Sequence, residues 1–132
     1  MTNELQGLVN AWLSYHRELE AHGSPENVGG VGEQYFDSID HLDRLVGANP
    51  EQGWEAIQQI FALTESNFQR ACLAAGLLED LLVKHGRDFV ERVERLAGSN
   101  AEFRELLGGV WRSAIEDAVW LRLQEALRGG VH

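Results

Sequence analysis

The sequence predicts an all-α fold, and three observations carry that prediction. Apolar residues recur at helical spacing almost from end to end. No run alternates at period two for long enough to make a strand. Helix-start and helix-stop signals cut the chain into short segments. The expected architecture is a compact bundle of seven or eight short helices. At 132 residues and 44% hydrophobic composition, the chain reads as one domain, 1–132, able to bury a core without disulfides or metal.

Each segment has its own signature. The first helix, about 3–22, places Leu5, Leu8, Val9, Trp12, Tyr15 and Leu19 on one face and Asn10, Ser14, Arg17 and Glu18 on the other. GSPENVGGVG (23–32) is the one obvious loop. It lacks the preceding strand and the Lys-Ser/Thr follow-up of a phosphate loop. A second helix covers about 33–46, with Tyr35, Ile39, Leu42 and Val46 inward. NPEQ (49–52) reads as a cap, Asn49 at the N-cap and Pro50 at the first helical position. The third helix, about 50–63, buries Trp54, Ile57, Ile60 and Phe61. SNFQ (66–69) has capping-box spacing and starts a fourth segment, which is expected to pause at Gly76.

AAGLLEDLLVKHG (74–86) poses a choice between a carboxylate and histidine site and a plain helix. At 100° per residue Leu77, Leu78, Leu81 and Leu82 form one apolar stripe, while Glu79, Asp80 and Lys84 fall away from it. Asp80 can pair with Lys84, and Gly86 offers a left-handed C-terminal cap. Glu79 and His85 point in different directions, so the helix reading prevails. The next helix carries Phe89, Val93, Leu96 and Ala97 inward, with Asp88/Arg92 and Glu91/Arg95 as outward pairs. SNAE (99–102) reads as another capping box ahead of Phe103, Leu106 and Leu107; Gly108 and Gly109 break that helix, and a last one is expected over about 111–127.

A faint period of 35 residues sets Trp54, Phe61, Phe68 and Cys72 opposite Phe89, Leu96, Phe103 and Leu107. Two arrangements of the region 50–128 follow: two stacked helical hairpins in the HEAT manner, with the N-terminal helices and Gly-rich loop of 1–49 packed on them, or a simple irregular bundle.

AAGLLEDLLVKHG, FVERVERLAG and FRELLGGVWR together resemble a family of small bacterial all-helical proteins known only as a domain of unknown function. The Leu-Glu-Asp-Leu-Leu and Gly-Val-Trp pieces carry the resemblance, which covers about residues 50–123 and leaves 1–49 outside. It implies an all-helical fold and a bacterial origin, and it brings no activity, cofactor or site.

Net charge is −10 and unevenly spread. Residues 1–50 hold eight acids against two bases, 51–80 five against one, and 81–132 eight against eight. Such a chain repels nucleic acid backbones and anionic membranes and attracts basic proteins. The single cysteine, Cys72, excludes an intramolecular disulfide and reads as a buried thiol. No run approaches the roughly 20 apolar residues of a membrane span, and MTNELQGLVN lacks the features of a signal peptide. A cytoplasmic location is the expectation.

Four candidate sites stand out. In DSIDHLD, Asp37, Asp40 and His41 fall at i, i+3 and i+4, a spacing that puts two carboxylates and an imidazole on one helix face as metal-ligand candidates. The competing reading pairs Asp37 with His41 and Asp40 with Arg44. Glu33, Asp37 and Asp40, with Asp43 at one edge, form an acidic stripe suited to a basic partner. His16 lies on the apolar face of its helix and reads as a hydrogen-bonded core histidine. The last helix is apolar around most of its circumference. Ile115, Val119, Leu123, Ala126 and Leu127 make one face, and Trp111, Ala118 and Leu121 extend the opposite flank. Its cover is either the rest of the monomer or a partner, including a second copy in a homodimer, with Trp120 as the anchor at its edge. Arg112 and Glu116 are expected to pair.

No cofactor and no catalytic residue is expected. The leading expectation is a non-enzymatic protein–protein interaction module, in its most concrete form an acidic immunity protein or antitoxin that neutralises a bacterial toxin. The alternatives are a DNA mimic, an oligomerising scaffold, and a metal-dependent enzyme built on the Asp37/Asp40/His41 cluster.

Overall fold

A computed structural model describes residues 3–22 and 33–128. The Gly-rich loop 23–32 lies outside the described residues. The chain is all-α: α1 (Asn3–His22), a 3₁₀ turn (Glu33–Tyr35), α2 (Phe36–Ala48), α3 (Pro50–Leu63), α4 (Asn67–Leu73), a π-helical turn (Ala74–Leu78), α5 (Glu79–Ser99), α6 (Ala101–Leu107) and α7 (Asp117–Leu127). Among the described residues there is no strand.

α5 is the spine. It packs against α2, α3, α6 and α7, while α1 lies across α2 and α3. One continuous core results, filled by Leu42 and Val46 of α2, Ile57 and Ile60 of α3, Leu81, Leu82, Phe89 and Val93 of α5, and Phe103 and Leu123. Each such side chain contributes roughly 1.5–3 kcal/mol by leaving water. α1 buries Leu5, Leu8, Val9, Trp12 and Leu13, whereas Tyr15 and Leu19 stay half-exposed.

The caps follow from the residue types. The Asn49 side chain accepts the Gln52 N–H at 3.4 Å, with Pro50 in the first turn where its missing donor costs nothing. Ser66 Oγ accepts the Gln69 N–H at 3.2 Å, and the Gln69 side chain answers from the Glu65 N–H at 2.7 Å. At the α5–α6 junction the cap is Asn100 rather than Ser99, its Oδ1 accepting the Phe103 N–H at 3.0 Å. α4 runs through a π-helical turn around Gly76 into α5, so the anticipated pause is a change of helical winding.

Gly86 differs from expectation. The helix continues through it, with the break displaced to His85 (φ −137°, ψ 29°). His85 Nε2–H donates to the Gly47 carbonyl at 2.8 Å, tying the kink to the end of α2. A Cβ on Gly86 would stand 3.1 Å from Val119 Cγ1, so the glycine lets α7 cross α5 closely. The last helix is also shorter than expected. Residues 108–116 form an irregular connection, Ser113 adopts φ 44°, and α7 starts only at Asp117. Several rings pack together in the core, Trp54 lying 6.3 Å from both Phe89 and Phe103 and Phe61 5.3 Å from Phe103. Phe68 and Phe103, set opposite each other by the 35-residue period, differ in burial, Phe68 being 40% exposed and Phe103 fully buried.

Candidate interaction surface

The acidic stripe is built by the amphipathicity of α2. Leu42 and Val46 are drawn into the core, which leaves Asp37, Asp40 and Asp43 exposed, with Glu33 exposed on the preceding 3₁₀ turn. Asp40 Oδ2 meets Arg44 at 3.1 Å, the ordinary i,i+4 pair. Glu33 and Asp37 make no ion pair among the described residues. His41 Nε2 turns toward Glu4 Oε1 at 3.7 Å, on α1. Asp40 and His41 therefore reach for different partners, and among the described residues no group of three or more His, Cys, Asp or Glu side chains is placed to hold a metal ion.

Asp43 carries the distinctive electrostatics. Partial burial pushes its carboxyl above the usual carboxylate range, and the charges of Asp80 and Asp40 push it further, against the opposing pull of Lys84. Asp80 belongs to the first turn of α5, brought beside Asp43 by the packing of α2 on α5. The stripe thus gains a member that the sequence alone assigned to a pair with Lys84. The only signal that could have found it is tertiary, because the two acids sit on helices separated by α3 and α4.

The C-terminal half treats its charges in the opposite way. Arg87 grips Glu116 through two bonds, from Nε at 2.7 Å and from Nη2 at 2.5 Å, and each group holds the other in its charged form. Arg92 forks onto Glu51 at 2.8 and 2.9 Å and stacks over Phe89. Arg122 binds Glu94, Arg95 binds Glu91, and Arg70 reaches Glu102 at 3.4 Å. Arg112 pairs with Asp117. The expected Arg112–Glu116 pair is therefore replaced by two others, because the chain between residues 112 and 116 is not helical and the i,i+4 geometry does not arise.

Trp120 lies half-buried against the core. The exposed aromatic of this region is Trp111, 75% accessible, followed on α7 by Leu121 at 65%. Cys72 is half-buried, and burial together with the nearby Glu20 charge raises its thiol. His16 stacks on the Trp12 ring with centroids 3.8 Å apart and donates Nδ1–H to the Trp12 carbonyl at 2.9 Å. Burial lowers its pKa despite that bond, so the neutral imidazole is favoured.

The described helices include none long and apolar enough to cross a membrane. The model of a family of unknown function, DUF6869, matches residues 30–131. The match begins ahead of α2, well upstream of residue 50 where the sequence resemblance was placed, and so takes in the acidic stripe as well as the helical region behind it. No curated protein and no solved structure matches the chain.

Proposed function

We propose that this chain, which belongs to the DUF6869 family of unknown function, is a non-enzymatic interaction module whose acidic α2 stripe receives a basic protein. The observation that carries the reading is the crowding of Asp40, Asp43 and Asp80, where partial burial and then the like charges of Asp80 and Asp40 raise the Asp43 carboxyl against the pull of Lys84, while Arg44 answers Asp40. A surface that concentrates one sign of charge speeds encounter with a partner of the other sign and loses that advantage as salt rises. Glu33 and Asp37 extend the same field along the helix. The most concrete form of the function is an immunity protein or antitoxin acting in the bacterial cytoplasm, with the acidic face covering the basic surface of a toxin.

The test is capture of companions from lysate of the source organism by the tagged chain, run beside a variant with Asp37→Asn, Asp40→Asn and Asp43→Asn. One stoichiometric basic companion is expected with the wild type at low salt, lost with the variant and released at moderate salt. Recovery of the bait alone, or of a companion indifferent to the three substitutions, would overturn the reading.

A further inference from the structure

The chain holds ten arginines and a single lysine, and that lysine, Lys84, stands at the edge of the acidic stripe. Arg87, Arg92, Arg95 and Arg122 are each held by a carboxylate. Lys84 is not. Asp80 stands one turn before it on α5, in the favourable order for a helix pair. Yet among the described residues Lys84 makes no ion pair and no side-chain hydrogen bond. Its side chain crosses to α2 instead. A Cβ on Gly47 would stand 3.3 Å from Lys84 Cδ and 3.4 Å from Nζ, so the arm lies over the one position in that turn without a side chain. The neighbouring His85 donates to the Gly47 carbonyl at 2.8 Å, and the kink at His85 brings both residues to the same glycine. α2 has no basic residue in its last turn, where its dipole is negative. Lys84 supplies that cation from α5, and its charge also reaches Asp43, one turn back along α2.

We infer that Lys84 is the built-in counter-ion of the acidic stripe, an arm that rests over Gly47 and gives way to a cationic side chain of the bound partner. This role presupposes that the stripe receives a basic protein, and it regulates how strongly. Residue type decides between a fixed and a movable charge. An arginine forks onto a carboxylate through two parallel bonds, as Arg92 does on Glu51 at 2.8 and 2.9 Å. A lysine is a compact, strongly hydrated point charge on a flexible stem, and it leaves a site without breaking a fixed geometry. Lys84 is exposed and makes no hydrogen bond, so moving it costs only a screened attraction. The other charges near Asp43 are committed. Arg44 meets Asp40 at 3.1 Å, His41 turns to Glu4 and His85 is bound to Gly47. A partner that brings its own cation to Asp43 and Asp80 therefore competes with Lys84 alone. The arm lowers affinity for weakly basic surfaces, and a strongly basic one displaces it.

The test uses a fluorescent hexalysine peptide as the cationic probe, its binding to the 132-residue chain read by anisotropy at low and moderate salt. Lys84→Gln should bind the probe about two- to fivefold more tightly than wild type, the scale of one exposed ion pair. Lys84→Arg keeps the charge and gains a fork, so it should bind no better than wild type. Arg95→Gln makes the same change in net charge away from the stripe and should leave affinity close to wild type. Two failures are distinct. If wild type and the variant with Asp37→Asn, Asp40→Asn and Asp43→Asn bind the probe alike, or not at all, the reading of the stripe falls and the role of Lys84 with it. If that variant loses the probe but Lys84→Gln binds no more tightly than wild type or Arg95→Gln, the role of Lys84 alone falls. A Lys84→Arg chain that binds as tightly as Lys84→Gln overturns it as well.

Discussion

The two ends of this chain hold nearly the same number of acids and use them differently. In α5–α7 the arginines at 87, 92, 95, 112 and 122 each meet a carboxylate, four of them on another element or across a connection. In α1 and α2 two arginines, Arg17 and Arg44, stand among many acids, and Arg17 is drawn away to Glu65 at the α3–α4 turn. One region spends its charge internally and the other leaves it facing outward. Exposed ion pairs contribute little to stability, a median near 0–1 kcal/mol, so the C-terminal lattice serves orientation more than cohesion. Cohesion comes from the shared core beneath both regions, and the difference between them lies in the charges above it.

The comparison breaks most completely at the core. Phe103 is fully buried against Trp54 and Phe61 at the place where α3, α5 and α6 converge. Phe103→Ala should cost about 3–5 kcal/mol, read as a lower urea midpoint. Glu94→Gln, which removes the Arg122 partner, should leave the midpoint close to wild type. A reversal of that order would show that ion pairs, not packing, hold the C-terminal half together.

A smaller effect probes how firmly the acidic side is seated. A Cβ on Gly53 would come within 2.9 Å of Val46 Cα, so the close crossing of α3 and α2 depends on glycine. Gly53→Ala should lose about 1–3 kcal/mol through overpacking, although alanine gains about 1 kcal/mol in helix propensity. Gly7→Ala is the control, since nothing lies within 4 Å of that Cβ, and it should stabilise. Thermal melts of the pair separate crowding from propensity.

Which parts of this were legible in advance follows the range of the interactions. Asn49-Pro50 and Ser66 announce helix starts because a cap is satisfied within three residues, and the structure places both there. The apolar faces of α2, α3 and α5 were legible for the same reason. Gly86 was misread as a terminator because a glycine that ends a helix and a glycine that admits a crossing helix look alike until Val119 is seen against it. Trp111 was read as helical because its spacing suits α7, yet Glu79, far back in the chain, holds its backbone in a different shape. The stripe of Glu33, Asp37, Asp40 and Asp43 was visible from α2 alone, whereas Asp80 joined it only through the α2–α5 contact. Sequence reading succeeded within a helix and stopped where two helices meet.

Within the C-terminal half, the cap at Asn100 is worth less than a core ring. Asn100→Ala frees the Phe103 N–H and should cost about 1 kcal/mol, measurable as a shifted denaturant midpoint with unchanged slope. Ser99→Ala, one residue away, should not reproduce it, because Ser99 Oγ is turned back to the Leu96 carbonyl.

The smallest effect has the opposite sign and bears most directly on the difference between the regions. Asp43 is held among Asp80 and Asp40, and its folded-state carboxyl lies above the ordinary range. A raised carboxyl binds its proton more tightly in the folded chain than in the unfolded one, so stability falls as pH climbs through the window above about 3.9. Asp43→Asn removes that loss. The variant should be more stable than wild type at pH 7 by about a few tenths of a kcal/mol, the exposed site being screened by solvent, and the advantage should vanish below the window, where both states of Asp43 are protonated. Asp117→Asn, in the region whose acids are partnered, should give no such gain at any pH. Paired melts across pH 3–7 read the difference. If both variants gained alike, the acid excess would be a property of the whole molecule rather than of one face, and the division of labour between its two ends would fall.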